Sequence, residues 1–300
     1  MPTLPGVHLK DEIAKVSQRL RELGHNRHLD KAVWGRVELA RHPERPYTQD
    51  YIHQMFPGFI ELRGDRCFAD DPAIVGGLAA YMGRTIMVIG HQKGRDLAAR
   101  TRRNFGMARP EGYRKAQRLM NLADKFGIPV LTFIDTPGAY PGVAAEERGQ
   151  AGAISGSLLC MARLDVPTVA VIIGEGGSGG ALALALADRV LMLENSIYSV
   201  ISPESCAAIL WKDADEAHLA AQTLRLTSSD LLELQAVDAV LPEPRGGAHR
   251  DHAAAARIVK EALEDNLREL EAIHPQLRKQ ERFQKFRQMG VWKENGLTLF

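Results

Sequence analysis

The sequence is poor in cysteine, in long apolar runs and in excess charge of either sign. Its 300 residues hold three cysteines, Cys67, Cys160 and Cys206, far apart and without a CxxC pair. That spacing excludes a disulfide framework and a cysteine zinc site, and it suits reduced thiols in a cytoplasmic protein. No apolar stretch approaches the ~20 residues that span a bilayer. The opening MPTLPGVHLKDEIAK lacks the apolar core of a signal peptide. Lys plus Arg is 38 and Asp plus Glu is 37, so a net charge of +1 gives no overall pull toward nucleic acid or an anionic membrane. Apolar residues at 45% and charged residues at 25% describe an ordinary globular chain, long enough to bury a real core.

What the sequence does have is periodicity and clustered glycine. Ile13, Val16, Leu20 and Leu23 fall on one helical face, and Leu29, Val33 and Val37 continue it. RHPERPYTQD (41–50) ends that region, so residues 1–50 read as a helical arm. A mixed core is expected over 51–245, with strands at 73–81 and 85–90 joined at Met82-Gly83-Arg84. GGAHRDH (246–252) is a turn, and 246–300 reads as a helical extension broken at Pro275. Both ends are expected to pack on the core or on a partner. His249 and His252 read as surface loop and not as metal ligands.

The middle of the chain repeats. PVLTFIDTPGAYPG (129–142) lies on PTVAVIIGEGGSGG (167–180) at an offset of 38 residues. Each copy is a continuous apolar strand, a glycine loop and a helix, expected from about Glu146 to Arg163 and from Ala181 to Ala187. Continuous apolar strands alternating with helices indicate buried, mostly parallel β-structure. α/β folds place ligands at the C-terminal ends of such strands, where both glycine loops stand.

In GEGGSGG (174–180), five of seven residues are glycine. Ordering glycine is costly, so something must come close to this backbone. At the start of a helix, free N–H groups without a shielding Cβ can serve an oxygen that gains negative charge. Three other readings stand beside that one. A phosphate loop is disfavoured by the lack of GK[ST] and of GxGxxG. A tight structural turn needs no ligand. A nucleophile elbow is formally allowed, because Gly176-Gly177-Ser178-Gly179-Gly180 matches GxSxG.

Longer runs carry a resemblance. DTPGAYPG (135–142), EERGQ (146–150), IGEGGSGGALA (173–183) and YSVISPE (198–204) resemble the carboxyltransferase alpha subunits of bacterial acetyl-CoA carboxylases. ARHPERPYT, GDRCFADDPAIVGG, IGHQKGR, RRNFGM and PEGYRKAQRLM extend the likeness over about residues 30–255. It implies an α/β fold of the crotonase-like (ClpP/crotonase) class, built of stacked ββα turns. It implies carboxyl transfer from carboxybiotin to acetyl-CoA, giving malonyl-CoA in fatty-acid biosynthesis. The biotin is carried covalently by a separate biotin carboxyl carrier protein, and the ATP-dependent step belongs to a biotin carboxylase. The implied partner is a beta subunit bearing the zinc ribbon, in a heterotetramer of two alpha and two beta subunits, with no metal in this chain.

The same resemblance implies that Gly179 and Gly180 hold a biotin oxygen through backbone N–H groups. Gly176 and Gly177, and Gly138, Ala139 and Tyr140 of the first loop, are expected to shape the pocket. Lys93 or Arg95 is expected to meet biotin or the CoA phosphates. The basic residues Arg102, Arg103, Arg114, Lys115 and Arg118 are expected to steer anionic CoA or the carrier. Glu146 and Glu147 read as helix-dipole partners, and Asp135 as structural.

Overall fold

The computed structural model describes residues 27–290, 292–294 and 297–299; Ile13, Val16, Leu20 and Leu23 lie outside them. In chain order the elements are α1 (Arg27–Ala40), α2 (Thr48–Met55), β1 (Ile60–Glu61), β2 (Ile74–Tyr81), β3 (Arg84–His91), α3 (Leu97–Arg102), α4 (Pro110–Lys125) and β4 (Val130–Thr136). There follow α5 (Val143–Glu147), α6 (Gln150–Arg163), β5 (Thr168–Gly177), α7 (Ser178–Ala185), β6 (Arg189–Leu193), β7 (Ile197–Ser199), α8 (Pro203–Leu210), α9 (Ala217–Thr223) and α10 (Ser228–Glu233). The chain closes with β8 (Ala239–Leu241), α11 (His252–Ala272), α12 (Pro275–Arg287), β9 (Trp292–Glu294) and β10 (Leu297–Leu299).

One sheet organises the molecule, in the order β1-β2-β3-β4-β5-β6-β8, with β7 joined to the far end of β5. β1, β2 and β3 are antiparallel, and from β3 onward every pairing is parallel. The β2–β3 turn is Met82-Gly83, with φ of 52° and 75°. Two left-handed residues give the turn whose twist matches a two-stranded ribbon.

The repeat and the sheet register coincide. Val130 pairs with Thr168 and Ile134 with Ile172, the offset of 38 that the sequence repeat shows. Beyond Ile134 the ladder slips by two residues, and Thr136 faces Gly176. The last residues of β5 leave β4 and pair with β7.

Both sheet faces are covered, which is why β4 and β5 are apolar without a break. Val130, Ile134, Ala170 and Ile172 point toward α4, α6 and α7, beside Tyr113, Leu119, Met161 and Leu184. Leu131, Phe133, Val169 and Val171 point the other way, toward Tyr51 and Phe56 of the α2 region and Val259, Leu263 and Leu267 of α11. The helix at 252–272 is thus a layer of the core rather than an appendage.

Several expectations are corrected. The helix after the first loop begins at Val143, and Gly149 in the left-handed region (φ 82°) splits it into α5 and α6. The helix after the second loop runs from Ser178 to Ala185, three residues earlier than the alanine-leucine pattern predicts. Pro275 ends α11 and opens α12 as its first residue, but the chain finishes in the hairpin β9–β10, not in helix. Arg278 and Arg282 of the basic α12 are buried, and Arg282 Nε donates to Asp188 Oδ1 at 2.7 Å.

Candidate active site

The second glycine loop is a direct passage from β5 into α7. Gly177 precedes the helix in extended backbone and Ser178, its first residue, stands at φ 50°. No side chain caps this end, so the first-turn N–H groups are left for another acceptor.

Four of the five glycines are required by the protein's own packing. A Cβ on Gly174 would lie 2.5 Å from Asp135 Oδ1, and one on Gly176 would lie 2.9 Å from Tyr198 Cδ2. On Gly177 it would lie 2.1 Å from the carbonyl oxygen of Pro137. On Gly180 it would lie 2.6 Å from the carbonyl carbon of Gly138 and 2.8 Å from the nitrogen of Ala139. The two glycine loops therefore pack backbone against backbone. Gly179 differs, because the nearest atoms to its Cβ position are those of Ile154 at 3.6 Å, an ordinary contact. Among these glycines, Gly179 is the one whose missing side chain the fold does not need.

Gly179 opens on a cavity of about 260 Å³ lined by Ser178, Leu182, Tyr198, Ser199, Val200 and Leu231 among others. Among the described residues its only titratable lining side chain is that of Tyr198, whose hydroxyl burial pushes up to about 12 and so keeps protonated at neutral pH. The cavity offers hydrogen-bond donors and apolar surface, without a general base.

The first loop is held from behind. Thr136 Oγ1 donates to the Gly138 carbonyl at 2.7 Å, and Tyr140 N donates to the Ala108 carbonyl at 3.0 Å. Gln150 Nε2 donates to the Ala108 and Tyr140 carbonyls at 2.9 and 3.0 Å, and the Arg109 guanidinium covers the Tyr140 ring at 4.7 Å. Gly138 and Ala139 thus pack on the second loop, and neither they nor Tyr140 belong to the lining of the cavity beside Gly179, where the pocket-shaping role was expected.

Lys93 sits on the other side of the first loop. Its Nζ donates to Asp135 Oδ1 at 2.7 Å and lies 3.5 Å from Glu175 Oε2. Burial alone would lower its pKa; the Asp135 and Glu175 carboxylates reverse that and hold it above the ordinary lysine value. Arg41 closes the network through Glu175 at 2.8 Å and Glu204 at 2.6 Å. Asp135, expected to be structural, also accepts the Glu175 N–H at 2.9 Å. Sequence reasoning missed Arg41 and Glu175; they are 134 residues apart and no motif joins them.

Arg95 is committed elsewhere. It pairs with Asp50 at 2.6 Å, donates to the Pro43 carbonyl at 2.6 Å and covers the Tyr47 ring at 4.4 Å. The basic stretch is also largely spent on the fold. Arg114 binds Asp65 at 2.9 Å, Lys115 binds Asp70 at 2.5 Å, Arg118 binds the Gly64 carbonyl at 3.0 Å and Arg103 the Pro72 carbonyl at 2.7 Å. These four cations clamp the 62–72 loop, which corrects the expectation that they form a steering face. Glu146 and Glu147 are exposed on α5, Glu146 in its first turn. His249 stacks on His42 with ring centroids 4.0 Å apart, and His252 Nε2 meets the Glu44 carbonyl at 2.7 Å.

The family model for acetyl co-enzyme A carboxylase carboxyltransferase-like proteins matches residues 3–290. The acetyl-coenzyme A carboxylase carboxyl transferase subunit alpha of Thermus thermophilus is 58% identical over 289 residues, covering 96% of this chain and 93% of the relative. That of Geobacter metallireducens is 54% identical over 288 residues, covering 96% and 91%. Among solved structures, a Pseudomonas malonate decarboxylase hetero-tetramer in complex with coenzyme A superposes with a TM-score of 0.62 at 17% identity, covering 75% of this chain and 88% of that one. Transcarboxylase 12S superposes with a TM-score of 0.59 at 21% identity, covering 74% and 42%. These two likenesses concern the fold, which is crotonase-like.

Proposed function

Because this chain belongs to the family of acetyl-coenzyme A carboxylase carboxyltransferase alpha subunits, we propose that its share of the active site is the first turn of α7 and the cavity beside it. The reaction is the transfer of a carboxyl group from carboxybiotin to acetyl-CoA, which yields malonyl-CoA for fatty-acid synthesis. Biotin, arriving on a separate carrier protein, supplies the carboxyl group and a ureido nitrogen that can take the α-proton of acetyl-CoA.

The observation that carries this reading is the cavity that Gly179 lines, at a position where its own Cβ would meet nothing closer than Ile154 at 3.6 Å. Among the described residues the cavity lining holds no carboxylate, histidine or lysine, so they bring no general base to it. What the chain brings is fixed donors. The N–H groups of Gly179 and Gly180 stand at the positive end of α7 and hold the ureido oxygen as it gains charge. They are rigid because the first loop packs on Gly177 and Gly180, so little reorganisation is required as charge develops. Loss of one such donor costs on the order of 3–4 kcal/mol of barrier. The apolar walls from Leu182 and Leu231 exclude water.

The enolate of acetyl-CoA needs donors of its own, and these come from a beta subunit. Leu182 and Val200, which line the cavity, are 37% and 76% exposed and form an apolar rim that such a partner would cover. The test is the reverse reaction, malonyl-CoA-dependent carboxylation of free biotin, with the purified chain alone and then with the beta subunit. Activity only in the mixture is expected. Activity of the chain alone would point to an independent crotonase-like enzyme, and inactivity of a properly assembled complex would overturn the reading.

A further inference from the structure

We infer that Ser178 is a further catalytic residue of this site: its hydroxyl hydrogen-bonds the carboxyl group in transit while the Gly179 N–H holds the neighbouring ureido oxygen. The inference rests on the site proposed above and adds a side chain to a site otherwise made of backbone.

Four observations meet at Ser178. It stands at φ 50°, in the left-handed region, where glycine costs little and a serine is strained. It is flanked by glycine on both sides, in a loop where glycine is used freely. Its side chain is exposed and lines the same 260 Å³ cavity as Gly179. Its hydroxyl makes no hydrogen bond to any described residue, so it is neither a helix cap nor a packing group.

The geometry defines what the hydroxyl can reach. β5 ends at the extended Gly177, and the left-handed Ser178 opens α7 at once. In such a strand–turn–helix, the turn side chain and the next backbone N–H converge on one bound group. An oxygen held by that N–H presents the atoms next to it to the side chain. In an N-carboxylated ureido group, the ring oxygen and the carboxyl group are such neighbours. Nucleophilic attack by Ser178 is not the role, because no histidine, lysine or carboxylate among the described residues touches its hydroxyl to take the proton. The hydroxyl instead donates to a carboxyl oxygen and retains the carbon dioxide released between donor and acceptor.

The experiment uses the chain assembled with its beta subunit, malonyl-CoA and free biotin, with Ser178→Ala and Ser178→Gly. Acetyl-CoA and carboxybiotin are counted separately. Both variants are expected to lose about tenfold to a hundredfold in kcat. The ratio of carboxybiotin to acetyl-CoA is expected to fall, because malonyl-CoA that loses carbon dioxide to solvent yields acetyl-CoA and no carboxybiotin. Ser178→Gly relaxes the backbone, so its melting temperature should match or exceed the unsubstituted protein and misfolding cannot explain the loss. Unchanged kcat and unchanged ratio in both variants, beside an inactive Gly179→Val, would overturn the role of Ser178 and leave the site standing. Full activity of Gly179→Val as well would remove both. Labelling of Ser178 by a fluorophosphonate would make it a nucleophile and also overturn the inference.

Discussion

The two glycine loops come from similar sequence and end in different structures. After β4 the chain wanders through Pro137 to Gly142 and enters a five-residue helix that breaks at Gly149. After β5 it turns on one residue and enters α7 at once. The first loop is a buttress: its carbonyls and amides meet Gly177 and Gly180, and Lys93, Asp135 and Gln150 hold it from behind. The second loop is the supported piece, and at Gly179 a side chain would meet only Ile154, at an ordinary 3.6 Å. The same residue type thus does two jobs within four residues. At Gly177 and Gly180 it admits another stretch of this chain, and at Gly179 it leaves the helix start bare beside the cavity.

Breaking the buttress should give the largest effect. Gly177→Ala would put a methyl 2.1 Å from the Pro137 carbonyl oxygen, which only backbone movement relieves. A loss of more than about 3 kcal/mol is expected from overpacking of this kind, read from urea denaturation. A loss under 1 kcal/mol would mean that the loops are not in firm contact. Gly180→Ala should fall between, with its methyl 2.6 Å from Gly138. Substitutions at Gly180 therefore cannot separate catalysis from folding.

Gly179→Val sharpens the comparison from the other side. Its Cβ would meet Ile154 at an ordinary 3.6 Å, and the position lines the cavity. Stability should change by less than about 1 kcal/mol, since valine replaces glycine in a helix. Turnover with the beta subunit should fall by about a hundredfold or more. Normal turnover would show that nothing from outside approaches this residue.

The loops were legible in the sequence up to the point where distant residues decide. The 38-residue repeat gave the β4–β5 register through Ile134 and Ile172, because parallel neighbours with equal connections keep one offset. Met82-Gly83 and Pro275 marked their turn and break through local chemistry alone. The two-residue slip after Ile134 was not legible, since it comes from β5 leaving β4 for β7. Nor was the sorting of five glycines into four packed and one open. That depends on Asp135, Pro137 and Gly138, some 40 residues earlier, and on Tyr198 later in the chain. The basic stretch misled for the same reason. Arg114, Lys115 and Arg118 look like a ligand face until the 62–72 loop is seen to occupy them.

The smallest effect concerns His91, which lies near the carbonyls of Gly180 and Phe133, inside the supported loop. Its ring is fully buried and neither nitrogen has a hydrogen-bond partner. Burial above all, and then the positive charge of Lys93, lower its pKa from 6.5 to about 3. The unfolded chain therefore binds a proton at this residue between those values and the folded chain does not. The stability involved is fully present above pH 6.5 and is lost progressively as the pH falls toward 3. Between pH 6.5 and 5.5 the loss should be about 1 kcal/mol, in a range where most carboxylates have not begun to titrate. His91→Leu removes the proton site while keeping an apolar, unpaired environment filled. Its stability curve should run flatter than that of the unsubstituted protein over this window, in paired denaturation at the two pH values. Parallel curves would mean that the ring finds a partner when protonated, and that the interior behind Gly180 is more open than its packing shows.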